Sequence, residues 1–101
     1  MSLRISQSRF ALMVAILIIY AYFRGYEITF GDAWAKEGEG RPHKKGSFHF
    51  KRLAIDLNLF KNGVFLKTTE DHKPLGMFWK ILGGTWGGDW DDGNHYSWGE
   101  K

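Results

Sequence analysis

Two short stretches of this chain hold histidine and carboxylate side chains close enough in sequence to share a task. Ser47-Phe48-His49-Phe50-Lys51-Arg52-Leu53-Ala54-Ile55-Asp56 sets His49 and Asp56 seven residues apart, and Asp92-Gly93-Asn94-His95 sets Asp92 and His95 three apart. The chain has no cysteine, so a transition metal would have to use His, Asp or Glu, and thiol catalysis is excluded. The histidines are His43, His49, His72 and His95. Catalytic zinc takes three protein ligands and leaves a fourth position for water, and a nearby carboxylate removes the water's proton. His49, Asp56 and His95 as ligands with Asp92 as base satisfy that count. Scattered, solvated polar groups satisfy the same spacing, which permits a shared ion without demanding one.

These residues need elements to bring them together. Leu53 to Phe60 alternates as a strand, with Leu53, Ile55, Leu57 and Leu59 on one face and Ala54, Asp56, Asn58 and Phe60 on the other. Aspartate is a poor strand former, so its place in the middle of the best strand calls for a reason. In one continuous strand His49 and Asp56 would face opposite sides. A common ion therefore requires a bend or bulge across Phe50–Arg52. Lys61-Asn62-Gly63 signals a hairpin turn, and Val64-Phe65-Leu66 returns as the next strand. Tyr26–Phe30 predicts an earlier strand, stopped by Gly31-Asp32. Residues 35–46, rich in glycine and charge, make a long loop.

Thr68-Thr69-Glu70-Asp71 offers caps for a helix through Leu82, with Pro74 in its first turn and Gly83-Gly84 ending it. Leu75, Phe78, Trp79 and Leu82 form its apolar stripe, and His72 is expected as a surface or capping group. The tail from Thr85 predicts a loop followed by a short strand from about Asn94. Trp86 and Trp90 fit either a substrate platform or packing against a sheet edge. The element order α-β-β-β-α-β gives an α+β class, a small single domain over residues 1–101 with an antiparallel sheet, an N-terminal helix and a second helix packed on it.

At 101 residues, 44% hydrophobic and 25% charged, the chain can bury one modest core. Its net charge of +3 is too mild to carry a nucleic-acid assignment. Phe10 to Phe23 runs fourteen residues without a charge, closed by Arg24-Gly25 as a helix C-terminus would be. Fourteen helical residues span ~21 Å, short of the ~30 Å hydrocarbon layer of a bilayer. Residues 10–24 are therefore expected as an apolar core helix, with a membrane-associated segment or signal as the competing assignment. The helix lacks a clean polar face, which leaves membrane contact through residues 10–23 open.

The motif Ser47-x-His49-x6-Asp56 followed by Asp92-x-x-His95 resembles the D-alanyl-D-alanine carboxypeptidase and L-alanyl-D-glutamate endopeptidase family of zinc peptidases. The runs Arg52–Phe60, Thr69–Gly76, Gly83–Gly88, Asp92–Ser97 and Gly25–Ala33 are similar to its compact phage members. The resemblance implies a Zn2+ site made by His49, Asp56 and His95, with Asp92 as general base and Ser47 beside the ligands or the substrate. It implies cleavage of the peptidoglycan stem peptide by a monomeric enzyme that is made in a bacterial host's cytoplasm and acts at the cell wall. The L-alanyl-D-glutamate bond is favoured and a D-alanyl-D-alanine terminus stands second. Trp86 is a further candidate for substrate contact. The family's usual arginine after the Gly-Asp-Ala-aromatic segment is replaced here by Ala35. Lys36 or Arg41 is expected to supply that cation, or the chain is an inactive wall-binding or membrane-associated relative.

Overall fold

The computed structural model describes residues 2–32 and 52–99. In order, these form helix α1 (Leu3–Phe23), strands β1 (Glu27–Phe30), β2 (Ala54–Lys61) and β3 (Val64–Leu66), helix α2 (Thr69–Ile81), and strands β4 (Thr85–Trp86) and β5 (His95–Ser97). A single 3-10 turn, Gly87–Trp90, joins β4 to the turn before β5. All strand pairs among the described residues are antiparallel, and the class is α+β as the element pattern predicts.

Strand β2 organises the sheet. Its C-terminal half pairs with β1 on one edge, Phe30 opposite Leu57, and with β3 on the other, Phe60 opposite Phe65. Its N-terminal end pairs with β5, and β5 in turn pairs with β4. The alternation forecast for β2 holds from Ile55 onward, with Ile55, Leu57 and Leu59 buried and Asp56, Asn58 and Phe60 partly exposed, while Ala54, expected on the polar face, is buried. Asn62 and Gly63 both take positive φ (53° and 78°), the two-residue turn geometry that an Asn-Gly pair favours.

Both helices pack on the buried side of the sheet, around Leu57, Leu59, Trp79 and Tyr96. Helix α1 contributes Phe10, Val14, Leu17 and Ala21, spaced four, three and four residues apart. It begins earlier than the apolar run suggests. The Ser2 hydroxyl accepts from Ile5 N–H at 3.2 Å and caps a 21-residue helix. At ~1.5 Å per residue that is about 31 Å, the thickness of a bilayer's hydrocarbon layer, and longer than the ~21 Å expected from the apolar run. The helix is long and apolar enough to cross a membrane by length and composition.

Helix α2 starts with a reciprocal capping box: Asp71 N–H donates to the Thr68 hydroxyl (3.0 Å), and Thr68 N–H donates to the Asp71 carboxylate (3.3 Å). Pro74 is the sixth helical residue rather than part of the first turn, and the carbonyl it leaves without an N–H partner belongs to the exposed Glu70. The expected stripe is corrected in one respect. His72, forecast at the surface, is 1% exposed, because its spacing from Leu75, Gly76 and Trp79 places it on the buried side. The sequence pattern also missed β4, a two-residue strand too short to show alternation.

Candidate functional site

Asp56 and His95 are direct cross-strand partners of β2 and β5. Paired antiparallel residues project to the same side of the sheet. The His95 Nδ1 and the Asp56 Oδ1 lie 3.7 Å apart, with side chains 12% and 21% exposed. This is the polar side of β2, opposite the core, as the alternation of Asp56 with Ile55 and Leu57 requires.

The backbone beneath the pair is tightly held. Gly31 N–H donates to the Asp56 carbonyl at 2.8 Å, and Asp56 N–H donates to the Asp32 carbonyl at 2.7 Å. On the other edge Leu57 N–H donates to the Asn94 carbonyl at 2.9 Å. A Cβ on Gly31 would come within 3.2 Å of the Asp56 Cβ, so a glycine there lets the end of β1 lie close beside the carboxylate residue.

His95 is delivered by a compact turn. Asp92 N–H donates to the Gly87 carbonyl (2.8 Å), and His95 N–H donates to the Asp92 carbonyl (3.1 Å). Asp92 is exposed at this turn, one bonded step from His95. Gly87 is obligatory at this packing: a Cβ would meet the Asp92 carbonyl oxygen at 2.1 Å and the His95 Cβ at 2.7 Å. The Trp90 ring lies 5.4 Å from the imidazole, tilted 60°, and walls one side of it.

Trp86 is 5% exposed and donates its indole N–H to the Gly93 carbonyl at 2.7 Å. It serves the turn from beneath, its ring packed in the core and not laid open as a platform. Arg52 adopts φ +58°, a left-handed conformation that interrupts strand parity just before Leu53; the rest of the bend expected between His49 and Asp56 lies outside the described residues. His49, Ser47, Lys36, Ala35, Arg41 and His43 lie outside the described residues. Among the described residues no group of three His, Asp or Glu side chains is placed to hold a metal.

Two polar groups under the site escaped the sequence reading. The His72 Nδ1 and the Tyr96 hydroxyl hydrogen-bond at 2.8 Å in the core, directly behind β5. Burial lowers the imidazole pKa to about 4, against the Asp71 charge and a Leu66 backbone bond that favour the charged ring. Burial alone pushes the Tyr96 phenol up, so it stays protonated. The Trp79 indole N–H bridges the Ser97 carbonyl (2.8 Å) and the Thr85 carbonyl (3.1 Å), tying β5 to β4. The helical period of His72 with Trp79 carried this information in the sequence.

The donor chemistry suits a shared cation. Two donors at ~2.0–2.1 Å from a tetrahedral ion stand roughly 3.3 Å apart. The observed 3.7 Å between Asp56 and His95 needs only a small side-chain adjustment to meet that value. Asp56 and His95 thus stand together at the end of the turn that carries Asp92. The family model described as D-alanyl-D-alanine carboxypeptidase matches residues 41–98, more than half of the chain. The chain belongs to that peptidase family, whose substrates are peptidoglycan-type peptides and whose members are generally zinc-dependent. The match includes Asp56, Asp92 and His95; the similar run Gly25–Ala33 lies outside it. No curated protein matches the chain.

Proposed function

We propose that this chain is a zinc-dependent peptidase of the peptidoglycan stem peptide, acting as a phage or prophage lysis enzyme. The observation that carries the reading is the register of β2 and β5, which sets Asp56 opposite His95 beside the turn bearing Asp92. His95 and Asp56, joined by His49, would hold the ion. When bound, zinc would act as a Lewis acid, activating a water near neutral pH and polarising the scissile carbonyl. Asp92 takes the proton of the attacking water and returns it to the leaving amine as the C–N bond breaks. Ser47 would support the ligands or the substrate, and Lys36 or Arg41 would stabilise the developing oxyanion in place of the arginine absent at Ala35.

The L-alanyl-D-glutamate bond is the favoured target and the D-alanyl-D-alanine terminus the second. The enzyme would be made in the host cytoplasm, act at the wall as a monomer, and touch the membrane through residues 10–23.

Digestion of purified peptidoglycan tests the reading. Wild-type protein should release new amino termini, lose activity to a chelator and regain it with zinc. His95→Ala and Asp92→Asn should each lower the rate by about 10³-fold or more, on the scale of losing a principal catalytic group. Undiminished digestion by Asp92→Asn would remove it as the base. Zinc binding without any cleavage would instead favour an inactive wall-binding protein. Sequencing the new amino terminus identifies the bond.

A further inference from the structure

The turn that carries Asp92 and His95 is gripped at a single residue between them. The Gly93 N–H donates to the Thr69 hydroxyl at 3.2 Å, and the Gly93 carbonyl accepts the Trp86 indole N–H at 2.7 Å. The same Thr69 hydroxyl donates onward to the Asp91 carboxylate at 3.1 Å, so one side chain bonds residues on both sides of Asp92. Asp91 itself sits at φ +62°, a left-handed conformation that an aspartate keeps when its side chain is held. Gly93 is buried, and a Cβ there would fall 2.5 Å from the Thr69 Cα, so the turn rests directly on the first residue of α2. Trp86 is itself fixed from below: a Cβ on Gly76 or Gly88 would strike its ring at 2.1 or 2.3 Å.

We infer that Thr69 and Trp86 are positioning residues for the reaction, a two-sided clamp on Gly93 that sets where the Asp92 carboxylate and the His95 ring stand relative to Asp56. The inference rests on the proposed roles of Asp92 and His95. Neither clamp residue needs to touch substrate. Thr69 supplies a hydroxyl at the start of α2, and Trp86 supplies an N–H from β4. The clamp thereby ties the helix and the sheet edge to the same peptide. Misplacing a reacting group by about 1 Å costs on the order of 10²-fold in rate.

The test uses Thr69→Val, which keeps the side-chain shape and removes both hydrogen bonds, and Thr69→Ser, which restores them. Three readouts are taken on the full chain: kcat and KM on peptidoglycan fragments, zinc affinity by competition with a chromogenic chelator, and hydrogen exchange at the Gly93 amide. Thr69→Val should lower kcat by about 10- to 100-fold with KM little changed. It should also accelerate Gly93 exchange, and Thr69→Ser should recover both. Trp86→Phe, which removes the indole N–H and keeps an aromatic ring, should lower kcat in the same way. Wild-type kcat in a Thr69→Val protein whose Gly93 amide exchanges faster would overturn the positioning role. If wild-type protein binds zinc and does not cleave, the peptidase reading fails. The clamp is then judged by zinc affinity and exchange, and unchanged values for both in Thr69→Val would overturn it.

Discussion

Helix α1 meets the core through the apolar side chains of Phe10, Val14, Leu17 and Ala21, and its Tyr22 hydroxyl bonds the Ile28 backbone of β1, away from the site. Helix α2 meets the same core through His72, Leu75, Gly76 and Trp79, and three of its residues make directional bonds to the strands and turn of the site. Thr69 bonds the Asp91–Gly93 turn, His72 bonds Tyr96, and Trp79 bonds the Ser97 carbonyl. Apolar burial is non-directional and scales with area, whereas a hydrogen bond fixes position within a few tenths of an ångström. The difference separates stability from placement. One helix supplies mostly burial; the other supplies burial and alignment of the groups proposed to react.

The largest effect is expected at Leu17 of α1, which is fully buried. Leu17→Ala should lower unfolding free energy by about 2–5 kcal/mol, as large-to-small changes in a packed core do. Urea denaturation reads that loss. The proposed kcat per folded molecule should stay at the wild-type value, the reverse of the pattern expected for Thr69→Val. A large drop in kcat from Leu17→Ala in the folded fraction would show that α1 also aligns the site.

A smaller effect is expected from acid, and it falls on α2. His72 has a pKa of about 4 in the folded chain against an ordinary 6.5, lowered by burial. Between those values the unfolded chain binds a proton that the native chain refuses, so stability is complete above 6.5 and falls as pH drops toward 4. From about pH 7 to 5 the contribution lost is roughly 1–2 kcal/mol. His72→Gln should flatten this part of the stability profile, measured by urea melts across the interval, while leaving a polar partner for Tyr96. An equal slope in wild type and variant would remove His72 as the cause.

What the sequence disclosed follows the same division. The alternation of Leu53–Phe60 placed Asp56 on the polar side correctly, and the Asn62-Gly63 turn set the hairpin, because both signals are local. Strand parity calls for a bend between His49 and Asp56, and of that stretch Arg52, with its positive φ, lies within the described residues. The pairing of Asp56 with His95 across some forty residues is a tertiary fact; family resemblance brought the two residues together, and register shows how. His72 lies in the core where its polarity suggests the surface, because its helical position with Leu75, Gly76 and Trp79 decides its side. The clamp at Gly93 was invisible, since a threonine opening a helix usually signals capping alone. The start of α1 at Leu3 was hidden by Arg4 and Arg9, which interrupt the apolar run without interrupting the helix.

The smallest expected effect on stability lies on the outer side of α1. Ile5, Leu12, Ile16, Ile19 and Phe23 recur there at spacings of seven, four, three and four, all exposed, with Phe23 at 90%. Leu12→Gln with Ile19→Gln should shift unfolding free energy within about ±0.5 kcal/mol, because both side chains are mostly exposed. The proposed membrane contact gives these residues a separate readout. Arg4 and Arg24 flank the stripe, Arg9 falls on its face between Ile5 and Leu12, and no acid precedes Glu27, a charge distribution complementary to anionic lipid headgroups. Wild-type protein should therefore co-sediment with vesicles containing anionic lipid, and the double variant should not. An unbound wild type that elutes as a dimer, with the double variant eluting as a monomer, would replace the bilayer with a second copy of the chain as the stripe's partner. Equal behaviour of the two proteins in both assays would leave the stripe as surface that the inner face of α1 alone suffices to hold in place.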